Sequence, residues 1–277
     1  MTMVAAIQMA SGPNVQANLD QAEKLIAEAV AQSAKLIVLP EYFSFMGKTE
    51  EERIAVAETD GDGVVQKFLS AQAKKHAIWL VGGTVPIKSG NENKLFASCM
   101  LFNDQGERVA VYNKIHLFDV RLDEADESYT ESETTLPGDK TVVVDTPFGK
   151  LGLAICYDLR FPEIFRTMVN EGMEICAIPS SFTALTGKAH WEVLVRARAI
   201  ENLSYVIAAA QGGYHVSGRE THGNSAIVNP WGVVLNHMGK GAGVVVAKLD
   251  KPYLERTREH FPVLKHRRLA CQIDQSS

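Results

Sequence analysis

Short apolar runs alternate with amphipathic helical patterns from the first residues to about Phe261, and this alternation is the strongest constraint on the fold. "MVAAIQM" and "KLIVLP" are apolar throughout, as strands buried on both faces must be. Between them Asn14 opens a helical pattern in which Leu19, Ala22, Leu25, Ile26 and Ala29 share one face. A further helix over Val64 to Lys75 leads into "AIWLVGGTVPI". "KLFASCMLFN" and "RVAVYNK" are joined by Asn103-Asp104-Gln105-Gly106, a good turn for antiparallel strands. "TVVVDT" and "KLGLAIC" form a second pair around Pro147-Phe148-Gly149.

The second half repeats the scheme. A helix follows Pro162, then "EICAIPS", then a helix read over "AHWEVLVRARAIENL", opened by His190 and Trp191. "SYVIAAAQ", "SAIVN", "GVVLNHM" and "GVVVAKLD" are strands, and a final helix begins near Pro252. No Ser/Gly/Pro linker divides the chain, so one domain over 1–277 is expected. Its core runs over about 3–250, followed by a C-terminal helix and tail over 251–277. Helices should pack outside largely buried mixed sheets. The longest irregular stretch is the acidic segment 118–138, and a loop of that length in a compact domain is functional or mobile.

With 277 residues the chain buries enough surface to need no disulfide or metal staple. Its net charge of -5, with only the short Lys265-His266-Arg267-Arg268 cluster as a basic block, argues against a nucleic-acid partner. No apolar run reaches the ~18 residues of a membrane span, and "MTMVAAIQMA" lacks the pattern of a secretory signal. The cysteines at 99, 156, 176 and 271 have no metal-ligand spacing, so neither metal nor cofactor is expected and a reducing cytoplasm is the expected home. Gly239 to Gly243 imitates part of a phosphate loop, but no helix follows it.

Three places could carry chemistry. In "LGLAICYDLRFPE" an apolar run delivers Cys156 to a strand-to-turn transition, where the following N–H groups can face a developing oxyanion. A buried structural cysteine fits the same local pattern, and a nucleophilic one needs an activator. His116, His190, His215 and His222 are candidates, none in a recognisable setting. "VLPEYF" places Glu41, and "VYNKIHLFD" places Lys114, at the end of an apolar run. Each alone reads equally as a loop residue facing water.

Together, "LPEYF", "YNKIHLFD" and "ICYDLRFPE" resemble, in order, the glutamate, lysine and cysteine motifs of the nitrilase superfamily of carbon–nitrogen hydrolases. The resemblance spans nearly the whole chain. It implies a four-layer α-β-β-α sandwich and a cofactor-free thiol amidase working through a cysteine thioester. Cys156 would be the nucleophile, Glu41 the general base and Lys114 the cation beside the tetrahedral intermediate, with the Tyr157 N–H as second oxyanion donor. In "ESETTLPGD" Glu131 matches the family's further glutamate, with Glu133 as the alternative. "HWEVLVRARAIENLSYVIAAAQ", "NPWGVV" and "FPVLKHRR" resemble the branch acting on deaminated glutathione. ω-Amidases acting on α-ketoglutaramate, other nitrile, N-carbamoyl or aliphatic amide hydrolases, and a non-catalytic scaffold remain alternatives. Both keto acid amides carry a carboxylate, for which Arg160 is the first anchor, although a salt bridge to Asp158 or Glu163 is its competing role. His190 could line the pocket, while core packing suits Trp191 better. The resemblance also implies a homodimer or larger assembly, with contacts from the helix at Ala189 and the segment beyond Asp250.

Overall fold

The computed structural model describes residues 1–122 and 127–269. Strands β1 (Thr2–Gln8), β2 (Ala34–Val38) and β3 (Trp79–Val81) run parallel in the first sheet. β4 (Val85–Lys88), β5 (Leu95–Phe102) and β6 (Arg108–Asn113) extend it antiparallel. β7 (Asp119–Leu122) and β8 (Glu127–Thr130) form a separate hairpin. The second sheet contains β9 (Val142–Thr146), β10 (Gly149–Leu153), β11 (Ile175–Ser180), β12 (Tyr205–Ala210), β13 (Ala226–Val228) and β14 (Val234–His237). There β10, β11 and β12 are the parallel strands. β15 (Gly243–Leu249) returns to pair antiparallel with β1, closing the chain onto the first sheet.

The alternation of side chains along β1 explains the layering. Val4 and Ala6 enter a core shared by the two sheets, while Ala5 and Ile7 enter a second core under the helices. Leu36 and Val38 on β2 repeat the first choice, and Ile37 the second. Helices α1 (Val15–Ala31) and α3 (Val64–His76) cover the outer face of the first sheet; a short helix, α2 (Glu52–Ala55), lies between them in sequence. α4 (Pro162–Asn170) and α5 (Ala184–Asn202) cover the second sheet, which completes the α-β-β-α sandwich. Asn14 caps α1 by accepting from the Ala17 N–H, and the five apolar residues read from the sequence are its buried face. Burying each Leu or Ile there contributes about 1.5–3 kcal/mol.

Several boundaries differ from the sequence reading. "AIWLVGGTVPI" is two strands, not one: at Gly83 the backbone turns to φ +54, and a Cβ there would lie 2.2 Å from the Pro40 carbonyl oxygen. The acidic segment contains the β7–β8 hairpin and a 3-10 turn at Glu131–Glu133. Residues 123–126 of that segment, and Cys271, lie outside the described residues. Helix α5 opens at Ala184, capped by Thr183, so His190 and Trp191 are interior to it. The final helix, α6 (Lys251–His260), is bound to the core rather than appended: Leu254 is buried, and Arg258 donates to the carbonyls of Leu203 and Met173. The carbonyls of Gly239 and Gly241 accept from the Gln8 amide, so that loop presents acceptors inward. Among the described residues no helix is long and apolar enough to cross a membrane.

Candidate active site

Five chain segments converge just beyond the strand ends, where open α/β sheets bind ligands. Glu41 follows β2, Lys114 follows β6 and Cys156 follows β10; Ser181 and Gln211 follow β11 and β12. The Glu41 loop is pinned from both sheets. Gln211 donates to the Glu41 carbonyl, the Tyr42 N–H donates to Thr84, and Ser11 donates to the Phe43 carbonyl. Lys114 is held through its backbone, donating to Ala97 and accepting from Gly138.

The Lys114 ammonium is 1% exposed and sits between two carboxylates, 2.9 Å from Glu41 Oε1 and 2.7 Å from Glu131 Oε2. Glu131 Oε2 also accepts from the Phe118 N–H, while its Oε1 is buried without a partner. Glu133 is exposed, so of the two glutamates only Glu131 joins the site. Cys156 opens a 3-10 turn with φ +44, a conformation costly for a residue with a Cβ. Its sulfur accepts from the Ser181 N–H at 3.4 Å and lies beside the Glu41 carboxyl group on the pocket wall.

Burial raises the Cys156 thiol well above its ordinary pKa; the Glu41 charge adds to this, and Lys114 and the Ser181 N–H oppose it without prevailing. Burial likewise raises Glu41, with Glu131 adding to the rise and Lys114 opposing it. Lys114 is raised too, because its two carboxylates outweigh the cost of burying its charge. Two carboxylates around one ammonium in a dry pocket favour retaining protons. The resting arrangement is therefore a protonated thiol beside the Glu41 carboxyl group, with an ammonium alongside.

Asp158 stitches the site together, a role not read from the sequence. Fully buried, it accepts from the Ile155 N–H at 2.8 Å and from the Tyr112 hydroxyl at 2.7 Å. Its other oxygen meets the His116 N–H and lies 2.7 Å from His116 Nδ1. The residues two before and two after Lys114 thus hold the turn that carries Cys156. His116 serves this framework, not the sulfur. His215 is occupied between the Ser11 carbonyl and Thr221, and His222 lines a separate pocket.

Asp158 is consequently not the partner of Arg160, nor is Glu163. The Arg160 guanidinium lies 5.2 Å from the Phe182 ring centroid and 5.8 Å from that of Tyr157, facing the pocket. His190 is exposed and does not line the pocket; it touches Arg160 at 3.1 Å, because residue 190 lies on the outward side of α5. Trp191 packs in the core against Phe182, as read. The pocket encloses about 450 Å³, part of it open to solvent, and places Glu41, Lys114, Glu131, Cys156, Tyr157 and Arg160 on its wall. Glu50, Tyr129 and Arg219 also reach it, and no motif marked them in the sequence. Among the described residues no group of His, Cys, Asp and Glu could hold a metal ion.

The model of the carbon-nitrogen hydrolase family matches residues 3–259. The deaminated glutathione amidase of Synechocystis sp. is 41% identical over 268 residues, covering 96% of this chain and 97% of that protein. Saccharomyces cerevisiae Nit3, described as a member of branch 10 of the nitrilase superfamily, superposes with a TM-score of 0.87 at 33% identity, over 97% of both chains. The Caenorhabditis elegans NitFhit protein superposes with a TM-score of 0.88 at 37% identity, over 96% of this chain but only 65% of that longer one.

Proposed function

This chain belongs to the carbon–nitrogen hydrolase family, and from that premise we propose that it hydrolyses deaminated glutathione through a thioester on Cys156. The observation that carries the chemistry is Lys114, buried and bonded to both Glu41 and Glu131 beside the sulfur. The substrate follows from the name shared by full-length relatives such as the Synechocystis amidase.

In this reading Glu41 takes the thiol proton as the sulfur attacks the amide carbonyl carbon, since its carboxyl group shares the pocket wall with the sulfur. The oxyanion is met by the Lys114 ammonium and the Tyr157 N–H. Glu41 then returns the proton to the departing amine, and the C–N bond breaks to leave the thioester. A water molecule, deprotonated by Glu41, attacks the thioester; the acid leaves and the thiol is restored. Glu131 positions Lys114. Arg160 anchors the carboxylate of the keto acid, its cation free of ion pairs among the described residues and steadied by Phe182 and Tyr157. Intact glutathione bears an ammonium where the substrate has a keto group, and burying that charge is costly.

The test compares kcat/KM for deaminated glutathione, α-ketoglutaramate, glutamine and intact glutathione, with mass spectrometry for an acyl adduct on Cys156. Preference for the first and an adduct at that residue are expected. Preference for α-ketoglutaramate would instead make the protein an ω-amidase, and no adduct with any amide would favour a scaffold.

We further infer a two-fold dimer. Val193 and Ile200 on α5, Trp231 and Val233 on the β13–β14 turn, and Phe261 after α6 are all exposed apolar residues. They form one face, since Arg196 donates to the Gly232 carbonyl and the Trp231 and Phe261 rings lie 5.3 Å apart. Light scattering should give twice the 30.3 kDa of one chain; a monomer at high micromolar concentration contradicts it. A reducing cytoplasm suits the free thiols of Cys99, Cys156 and Cys176.

A further inference from the structure

The pocket that holds Cys156 continues outward into a second chamber of about 1030 Å³, partly open to solvent. Tyr42, Glu50, Tyr129 and Arg219 are walls of both. We propose that this outer chamber holds the departing amine of the substrate, and that Arg219 recognises a carboxylate on it. The inference rests on the deaminated-glutathione reading and adds to it the residue that selects the leaving group.

The geometry begins at Ser181. Its N–H is bonded to the Cys156 sulfur, and its carbonyl accepts from Arg219 Nη2. One residue therefore separates the guanidinium from the reacting atom. Arg219 is further steadied by the Tyr129 ring, 5.0 Å from its carbon. Its Nε is buried and has no hydrogen-bond partner, an expensive condition unless a ligand supplies the acceptor.

Acidic residues of the chamber do not satisfy it. Glu50 is bonded to Arg53 at 2.8 Å, and Glu127 accepts from the Tyr129 hydroxyl at 2.8 Å. Among the described residues Arg219 forms no ion pair, so a fixed, partly unsatisfied cation faces the chamber. The two substituents of an amide carbonyl carbon diverge from one another, as trigonal geometry requires. With the keto acid on Arg160, the amine side leads elsewhere in the pocket, and Arg219 is the cation on the walls of both chambers. Deaminated glutathione releases cysteinylglycine, whose two residues span about 7 Å and end in a carboxylate. α-Ketoglutaramate shares the acyl part but releases ammonia, which leaves the outer chamber unused.

The test varies the amine while keeping the acyl part. kcat/KM is measured for deaminated glutathione, its C-terminal carboxamide and α-ketoglutaramate, with wild type and Arg219→Gln. For wild type the carboxamide should be about 10- to 100-fold poorer than the acid, the range a charge-assisted hydrogen bond supplies. Arg219→Gln should cost deaminated glutathione a similar factor, and the carboxamide and α-ketoglutaramate far less. Equal losses on all three substrates, or a carboxamide as good as the acid for wild type, would overturn the assignment. If the variant does not fold, wild type still decides. Cysteinylglycine should inhibit competitively and cysteinylglycinamide should be at least tenfold weaker; equal inhibition would sink the proposal. A wild-type enzyme that hydrolyses none of the three substrates defeats the underlying functional reading instead, a result distinct from those above.

Discussion

The inner wall and the outer rim of the pocket are built differently. Glu41, Lys114 and Cys156 project from strand ends, and Glu131 from a 3-10 turn. Lys114 bonds both glutamates directly, and Cys156 lies beside Glu41. Glu50, Arg53, Tyr129 and Arg219 come from a loop, a short helix, a hairpin and a turn. Inner polar groups, Glu131 Oε1 apart, have one another as partners, so removing one disturbs the rest. At the rim Arg219 retains an unsatisfied donor, so its environment is completed by whatever binds. Reactivity demands the first arrangement, and selection among ligands the second.

The largest effect should come from Cys156→Ala, which removes the proposed nucleophile and only one sulfur from the packing. Turnover should fall by more than ~10⁴-fold with an unchanged melting temperature, since losing a nucleophile alone can cost ~10⁶. More than a trace of activity in a contaminant-free preparation would break the distinction between wall and rim. Glu41→Gln should lose ~10²–10⁴-fold in kcat as a missing base, and Lys114→Ala ~10²–10³-fold as a missing oxyanion donor. The lysine variant should also melt earlier, because it leaves two carboxylates buried without their cation; breaking a buried pair costs about 3–5 kcal/mol. Calorimetry beside the kinetics separates the two losses.

A rim variant sharpens the contrast. Tyr129→Leu removes the ring beneath Arg219 and should raise KM for deaminated glutathione about two- to fivefold, with kcat nearly unchanged. A kcat loss matching that of Glu41→Gln would place Tyr129 in the chemistry and erase the division.

pH probes the wall again through two different observables. Because burial raises Glu41, the acid limb of kcat/KM should lie above the ordinary value of 4.5 for a glutamate. The buried thiols of Cys99, Cys156 and Cys176 are raised in the folded state, so folding holds their protons where the unfolded chain releases them. Stability is thus intact below the unfolded thiol value and lost as pH rises above ~8.5, by about 1.4 kcal/mol per pH unit per thiol. Urea midpoints between pH 7.5 and 10, under reductant, measure the slope. Cys176→Ala should reduce that slope by one thiol's share and cost about 1 kcal/mol at neutral pH, leaving turnover intact. Cys156 and Cys176 are both buried residues of the same sheet region, and burial alone does not distinguish them. What separates them is the positive φ of Cys156 and the three polar groups around its sulfur.

Much of this was legible before folding. Apolar runs long enough for strands but too short for membrane spans, and the one-sided pattern of "VQANLDQAEKLIAEAVA", determine a layered α/β chain, because burial imposes a period on local sequence. The glutamate, lysine and cysteine segments were each ambiguous alone and became legible only because the three together, in order, resemble a family's motifs. Even so, the break at Gly82-Gly83, the β7–β8 hairpin and the start of α5 at Ala184 were missed. Each depends on a contact distant in sequence or on a cap that periodicity does not record.

Tertiary structure alone decided the remainder. Asp158 looked like a turn residue beside Arg160, but its partners, Tyr112 and His116, lie more than forty positions away. The choice of Glu131 over Glu133 depended on which carboxylate the 3-10 turn aims at Lys114. Arg219 carried no signal at all, since its significance comes from the Ser181 carbonyl, the Tyr129 ring and an unsatisfied nitrogen. Local sequence encodes local geometry through sterics and burial. The balance of charge in a pocket is a sum over side chains that only the packing of two sheets brings together.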